Sequence, residues 1–313
     1  MRDFADYIGN KEAVTRIKIL AEASKRSGER LAHIGLFGQP GNGKTSLARV
    51  TAGHIGAEFV YINSVAVETP LQFRKIILDR LGSSIPTIIM LDECHQLPRS
   101  IQDNLLSVLE EPAVLVTRYG DDFLRDALPK MMSFILATTH RGMLQDALLS
   151  RLEQIDVKEY SLDEKAEIAA RHLMIRKRVL KERMEPRAVV EIARRSRNIR
   201  ALIQHCNNVL NYATIVKGDG RIDMECVDGA FRLQGVDING LNENDRALLG
   251  YLKEAGHAGL DTLEAVLGIT KGEIKDKIEP HLLRNGFIVR KSAGRVITEK
   301  GRRAAEGVKV DVY

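Results

Sequence analysis

The chain has 313 residues, 44% of them hydrophobic and 28% charged, which suits two or three folded domains and excludes a disordered polymer. Tryptophan is absent and aromatics make up only 5%, so nucleic-acid binding through rows of stacked rings is disfavoured, while the net charge of +5 permits a polyanionic partner. Cys94, Cys206 and Cys226 are scattered and form no C-x-x-C pair, which predicts reduced, buried thiols and no metal site among them. The first six residues carry acidic charge and no apolar core of a leader, and no apolar run approaches the roughly 18 residues that cross a bilayer. A soluble cytoplasmic protein is expected, nucleoid-associated in a bacterium or in the host cytoplasm if virus-encoded.

In chain order, residues 33–37 read as a short apolar strand that runs into Gly38, Gln39, Pro40, Gly41, Asn42, Gly43, Lys44 and Thr45. This fits G-x-x-x-x-G-K-[ST], and Ser46 onward reads as a helix with Leu47, Val50 and Ile55 on one side. A strand ending in a glycine-rich turn aims backbone N–H groups and a helix N-terminus at an anion. Lys44 would neutralise the outer phosphates of a nucleotide, and the Thr45 hydroxyl would hold Mg²⁺.

Further strands are predicted at 58–62, 86–91 and 132–138, alternating with helices as in a parallel α/β sheet; Thr69, Pro70 and Gln72 cap one of the helices. The strand 86–91 runs into Asp92 and Glu93. Ligands collect at the carboxyl ends of parallel strands, so Asp92 is expected opposite Thr45 as a second Mg²⁺ ligand, and Glu93 is placed to activate water. Thr139, at the end of strand 132–138, could bond the γ-phosphate or the water. Arg151 lies too far along the chain to curl back easily into its own site. It could reach a neighbour's phosphate, or be a surface arginine on a loop.

From Ser161 the strands stop. A capping box at Ser161 and Glu164 opens helices at about 162–183, 186–196, 199–216 and 223–234, with Arg197 and Arg200 flanking the third; either could touch phosphate, or both be solvated. Residues 235–240 read as a linker. Helices at 243–255, 261–267 and from Thr270 to Gly286 then precede strands 287–291 and 295–298, the order of a winged helix. Between Arg284 and Arg303 the basic residues are Arg284, Arg290, Lys291, Arg295, Lys300, Arg302 and Arg303, against one acid, Glu299. One reading is a solvated face. The other is a wing on the DNA backbone through Arg290, Lys291, Arg295 and Arg302, with Arg295 deepest at the hairpin tip; roughly four neutralised phosphates would give a log–log salt slope near −3 to −4.

These features in this order resemble the AAA+ ATPases, and within them the RuvB family of Holliday-junction motors, over almost the whole chain. Residues 6–10 (DYIGN) are similar to the family's adenine-side segment, which implies Tyr7 and Ile8 against the base. LATTHRGML (136–144) resembles its sensor-1 strand, implying that role for Thr139, and IARRSRNIR (192–200) its sensor-2 helix, implying that role for Arg200. VDINGLNENDRALL (236–249) and EPHLLRNGFIVRKSAGRVIT (279–298) are similar to its linker and winged helix. Leu-Glu follows Arg151 where the family has Phe-Gly, residues 105–112 and the LLSR context look more like clamp loaders, and residues 113–130 carry no diagnostic sequence at the place of the hairpin that grips the partner RuvA.

The resemblance implies ATP and Mg²⁺ as cofactors, a hexameric ring with Arg151 as the finger of the adjoining copy, and a RuvA-like partner. The expected domains are an ATPase domain (1–160), a helical lid (161–236) and a winged helix (237–313). The expected activity is ATP-driven translocation of duplex DNA that drives branch migration. Alternatives are a clamp-loader-like switch, against which the winged helix argues, and an ATP-bound DNA-binding scaffold, against which Glu93 and Arg151 argue.

Overall fold

The computed structural model describes residues 3–79, 85–119, 121–292 and 294–306. The first-residue reading falls partly on Met1 and Arg2, the wing-turn reading partly on Ala293, and the C-terminal boundary on 307–313; these lie outside the described residues. The chain divides into two compact units, Met1–Glu164 and Lys165–Tyr313.

In the first unit, α1 (Lys11–Ser27), β1 (Ile34–Phe37), α2 (Lys44–Ile55), β2 (Glu58–Asn63), α3 (Pro70–Leu78), β3 (Thr87–Asp92) and α4 (Arg99–Val108) lead to a hairpin of β4 (Val114–Tyr119) and β5 (Asp122–Ala127). Strand β6 (Met132–Thr138), a single turn α5 (Asp146–Leu149) and β7 (Glu153–Asp156) follow. Five strands form one parallel sheet in the order β2-β3-β6-β1-β7. Its apolar runs are buried on both faces, as a parallel sheet covered by helices requires. In β3, Ile88 and Met90 enter the core beside α1 and α2, while Ile89 and Leu91 enter the core beside α3 and α4. In β6, Ile135 and Ala137 take the first side, Phe134 and Leu136 the second. All four expected strands form; β7 was not foreseen because only Ile155 of its four residues is buried, leaving no apolar run to detect. The β4–β5 hairpin is tied to α3 by Arg74, whose Nε and Nη2 donate to Asp126 at 2.7 and 2.9 Å.

In the second unit, α6 (Leu162–Arg171), α7 (Pro186–Arg195), α8 (Ile199–Ile215) and α9 (Met224–Leu233) enclose a core that includes Leu173, Ile192, Leu202, Cys206 and Phe231. The expected helix 162–183 is shorter: it widens into a π turn at His172–Arg176, and Arg178 adopts a left-handed conformation (φ 56°) that ends it. A second core, around Leu248, Leu252, Leu282, Phe287 and Ile297, gathers α10 (Glu243–Ala255), β8 (His257–Ala258), α11 (Leu260–Leu267), α12 (Lys271–Glu273), α13 (Glu279–Arg284), β9 (Ile288–Lys291), β10 (Gly294–Ile297) and α14 (Glu299–Ala304). Strands β8, β10 and β9 form an antiparallel sheet in that order, the wing of a winged helix. The expected helix from Thr270 also widens, into a π turn at Ile274–Ile278. The cause is Pro280, whose ring would strike the carbonyl four residues back in a regular helix.

All three cysteines are free and buried, and burial pushes the Cys94 and Cys206 thiols up to about 12. Among the described residues no helix is long and apolar enough to cross a membrane.

Candidate functional site

The phosphate loop joins β1 to α2 and is locked from behind. A Cβ on Gly38 would meet the Val157 carbonyl oxygen at 2.3 Å, and one on Gly43, whose φ is +88°, would meet the Tyr160 hydroxyl at 2.3 Å. Only glycine fits either position. Asn42 sits in the loop as expected, but its side chain turns away from the concave side: Nδ2 donates to the Val157 carbonyl at 3.0 Å. Tyr7 is buried beneath the loop, its hydroxyl donating to the Asn42 carbonyl at 3.3 Å and accepting from Tyr160 at 2.9 Å. Ile8 is half-buried beside it, and Pro40 is exposed. Tyr160, which sequence reasoning passed over, therefore braces both Tyr7 and Gly43; only the loop's own tightness signals a need for such a brace.

Lys44 is buried, and its Nζ donates to the carbonyls of Gly38 (2.6 Å) and Gln39 (3.2 Å). Burial lowers its pKa, and the nearby Glu93 and Asp92 carboxylates work in the opposite direction. The register of β2, β3 and β6 brings the acids alongside: Asn63 pairs with Asp92, and Leu91 with Leu136. Thr45 Oγ1 donates to Asp92 Oδ2 at 3.4 Å, so the two expected Mg²⁺ ligands do meet. Tyr61, unforeseen, donates its hydroxyl to the same oxygen at 3.0 Å, and the Glu93 N–H donates to Oδ1 at 3.1 Å. One hydroxyl and one carboxylate are a hard-oxygen pair that suits Mg²⁺, an ion that keeps several of its waters and takes few protein ligands.

Glu93 adopts a left-handed backbone (φ 51°), costly for a residue with a Cβ, which turns its carboxylate toward β6. There Thr139 donates both its N–H (3.3 Å) and its hydroxyl (3.2 Å) to Oε2. The Thr139 hydroxyl, expected at the γ-phosphate or the water, here donates to the glutamate that borders the same site.

Arg151 lies elsewhere. It precedes β7, whose first residue pairs with Ile34 at the amino end of β1, whereas the phosphate loop leaves the carboxyl end. Its guanidinium donates to Glu110 through Nε (3.0 Å) and Nη2, and to the Ala147 carbonyl at 2.6 Å. Four strand residues, roughly 13 Å, separate the two ends.

In the second unit, Arg197 is not available for a phosphate: it pairs with the fully buried Asp245 at the start of α10. Burial pushes it down to about 10. Arg200 is exposed on the first turn of α8. Lys291 at the end of β9, and Arg302 and Arg303 on α14 after the wing, are exposed. Arg295 is a correction. Its side chain is only 13% exposed and turns inward to Glu279, which also holds Arg290 at 2.7 Å, so it does not stand out as the deepest outward contact. The sequence lacked the signal because the partner lies 16 residues earlier in another element.

The family model for the Holliday junction DNA helicase RuvB P-loop domain matches residues 1–157, and that for the RuvB C-terminal winged helix domain matches residues 238–306. The chain belongs to the RuvB family. The RuvB subunit of the Holliday junction branch migration complex from Kosmotoga olearia is 32% identical over 95% of this chain and 87% of its own length. The corresponding subunit from Fervidobacterium nodosum is 33% identical over 95% of this chain and 85% of its own length. The solved Thermotoga maritima RuvB Holliday junction branch migration motor superposes with a TM-score of 0.81 at 28% identity, covering 99% of this chain and 98% of that one. Like its family, this chain is a P-loop protein built to use nucleotide.

Proposed function

We propose that this chain is an ATP-driven motor that moves duplex DNA through a Holliday junction, working in the cytoplasm as a homo-oligomeric, hexameric ring. The observation that carries the ring is the position of Arg151, at the end of the sheet opposite the phosphate loop of its own chain. A guanidinium so placed serves a neighbouring copy, where it would offset charge developing on the γ-phosphate. The division of labour follows the expected domains: ATPase (1–160), lid (161–236) and winged helix (237–313).

Within the ATPase site, Gly38 to Ser46 cradle the phosphates of ATP, with Lys44 withdrawn from the loop carbonyls onto the β- and γ-phosphates. Tyr7 and Ile8 border the adenine, and Arg200 reports the nucleotide to the lid. Thr45 and Asp92 would hold Mg²⁺, which supplies charge neutralisation between the outer phosphates. Glu93 accepts a proton from the attacking water while Thr139 fixes its orientation. Lys291 and Arg302 contact DNA phosphates, and these contacts carry no sequence information.

The β4–β5 hairpin supports a RuvA-type junction-binding partner. Tyr119 and Phe123 near its tip are 60% and 62% exposed, while its base is anchored by Arg74–Asp126. Apolar rings held out on a rigid ribbon suit docking.

The test is ATP-dependent displacement of strands from a synthetic four-way junction, with and without a RuvA-type protein. Dissociation of the junction that requires hydrolysis supports the motor. Tight binding with ATP turnover but no movement of strands would refute it.

A further inference from the structure

A histidine three residues beyond the metal-side carboxylate has been given no role so far. His95 sits in a single 3-10 turn, Cys94–Gln96, that follows Glu93 directly, and its side chain is 7% exposed. Its Nδ1 lies 2.8 Å from Thr138 Oγ1 and 3.3 Å from Glu93 Oε2. Thr138 is itself fully buried, and its hydroxyl oxygen accepts the His140 N–H at 2.9 Å, so it is an immobile anchor. The His140 ring packs against that of His95, with centroids 4.8 Å apart and the planes tilted by 50°.

We propose that His95 is a positioning residue for Glu93, completing with Thr139 a set of donors that holds one carboxylate oxygen and leaves the other for the attacking water. The geometry is one-sided. Among the described residues, every hydrogen bond and ion contact of the Glu93 carboxylate falls on Oε2: the Thr139 N–H, the Thr139 hydroxyl and His95 Nδ1. A lone pair on Nδ1 would face a carboxylate oxygen at 3.3 Å and repel it, so this contact selects the tautomer with the proton on Nδ1. A bent hydrogen bond shared between Thr138 and Glu93 then results. Burial keeps the ring's pKa below its ordinary value, with Glu93 opposing, so the neutral ring donates without cancelling the charge that a base needs. The left-handed backbone of Glu93 adds the reason for a third donor: a carboxylate on a strained residue has alternatives to relax into unless it is held.

This inference rests on Glu93 as the water-activating base, and the experiment keeps the two apart. Full-length protein, assembled on junction DNA, is assayed for ATP turnover with His95→Asn, His95→Gln, His95→Ala and, in parallel, Glu93→Gln. An asparagine amide reaches the place of Nδ1, whereas a glutamine amide reaches that of Nε2. Loss of kcat by about 10- to 100-fold is expected for Ala and Gln, with KM and the Kd of a non-hydrolysable ATP analogue within about twofold of the unmodified protein and recovery of most of kcat by Asn. If Ala fails to bind the analogue, the Asn and Gln pair decides. Equal losses in Asn and Gln, or unchanged kcat in Ala, overturn the positioning role. Unchanged kcat in Glu93→Gln instead overturns the assignment of the base.

Discussion

Arg295 and Glu279 face each other inside the winged helix as a two-point ion pair, Nε at 2.9 Å from Oε1 and Nη2 at 3.0 Å from Oε2. The carboxylate has no exposed surface, so removing its charge strands an arginine that has lost most of its own hydration. Glu279→Gln should lower the stability of the second unit by about 3 kcal/mol, read by denaturant titration followed by circular dichroism. Burial raises the carboxyl's pKa, but Arg290 and Arg295 outweigh it and hold it below the ordinary glutamate value of 4.5. A depressed carboxylate stabilises above its unfolded pKa, so this contribution is complete above about pH 4.5 and drains away as pH falls below it. A Glu279→Gln protein whose acid unfolding profile matches the unmodified one contradicts the pairing.

The same pair bears on which residues would contact DNA. Lys291→Ala and Arg302→Ala, both exposed, should each reduce the log–log salt slope of duplex binding by about one, without changing the melting temperature. Arg295→Ala should lower the melting temperature instead. Anisotropy titrations at several salt concentrations separate these outcomes, and an Arg295→Ala protein that melts normally but loses a full unit of slope would restore the outward reading.

Arg151→Ala should cut ATP turnover by about 10³-fold or more while nucleotide affinity holds. Mixing it with Lys44→Ala is the sharper measurement. Each mutant alone should be inactive, but in a mixed ring an intact Lys44 site can receive an intact Arg151 from the other kind of subunit. Recovery of turnover is expected. No recovery in rings that demonstrably mix would argue against a shared site.

Three histidines, His33 and His281 buried and His205 half-buried, set the response to mild acid. Burial, aided by neighbouring arginines, pushes His33 and His281 down to about 3 and His205 to about 4, from the ordinary histidine value of 6.5. His33 is committed as an acceptor: its Nδ1 takes the Phe134 N–H at 3.0 Å. The unfolded chain binds protons that the folded chain refuses, so stability falls as pH drops below about 6.5. At pH 5 the loss is on the order of 2 kcal/mol per histidine. Melting temperatures between pH 7.5 and 5 should therefore fall, and a flat profile over that range would refute the neutral state of these rings.

Tyr119→Ser with Phe123→Ser should leave ATP turnover of the ring on duplex DNA unchanged and remove its stimulation by a RuvA-type protein. Co-sedimentation with that protein measures the contact directly, and stimulation that survives the double substitution excludes the hairpin tip.

How much of this could be read from the sequence depends on how far apart in the chain the cooperating residues lie. The phosphate loop was legible because one local segment carries the whole device: strand, glycines, Lys44 and Thr45. The carboxylates Asp92 and Glu93 were legible because a long apolar strand announces its own carboxyl end. Tyr160 behind the loop, Tyr61 on Asp92 and Thr139 on Glu93 were not, since each pairing joins residues tens of positions apart that only the fold brings together; His95 lies two residues from Glu93, but no local pattern signals that a turn folds its ring back onto the carboxylate. The π turn before Pro280 is a local effect that helical periodicity alone does not register.

By itself, the sequence determined the order and type of the main elements and the chemistry present in them, because apolar periodicity, caps and a phosphate-binding loop act over a few residues. Tertiary structure alone decided what each charged or polar side chain faces. It turned Arg295 inward to a buried acid, engaged Thr139 with Glu93, and set Arg151 at the far end of the sheet from its own loop. The physical reason is that hydrogen bonds and ion pairs act over about 3 Å, and only the folded sheet and packed helices bring distant segments within that reach.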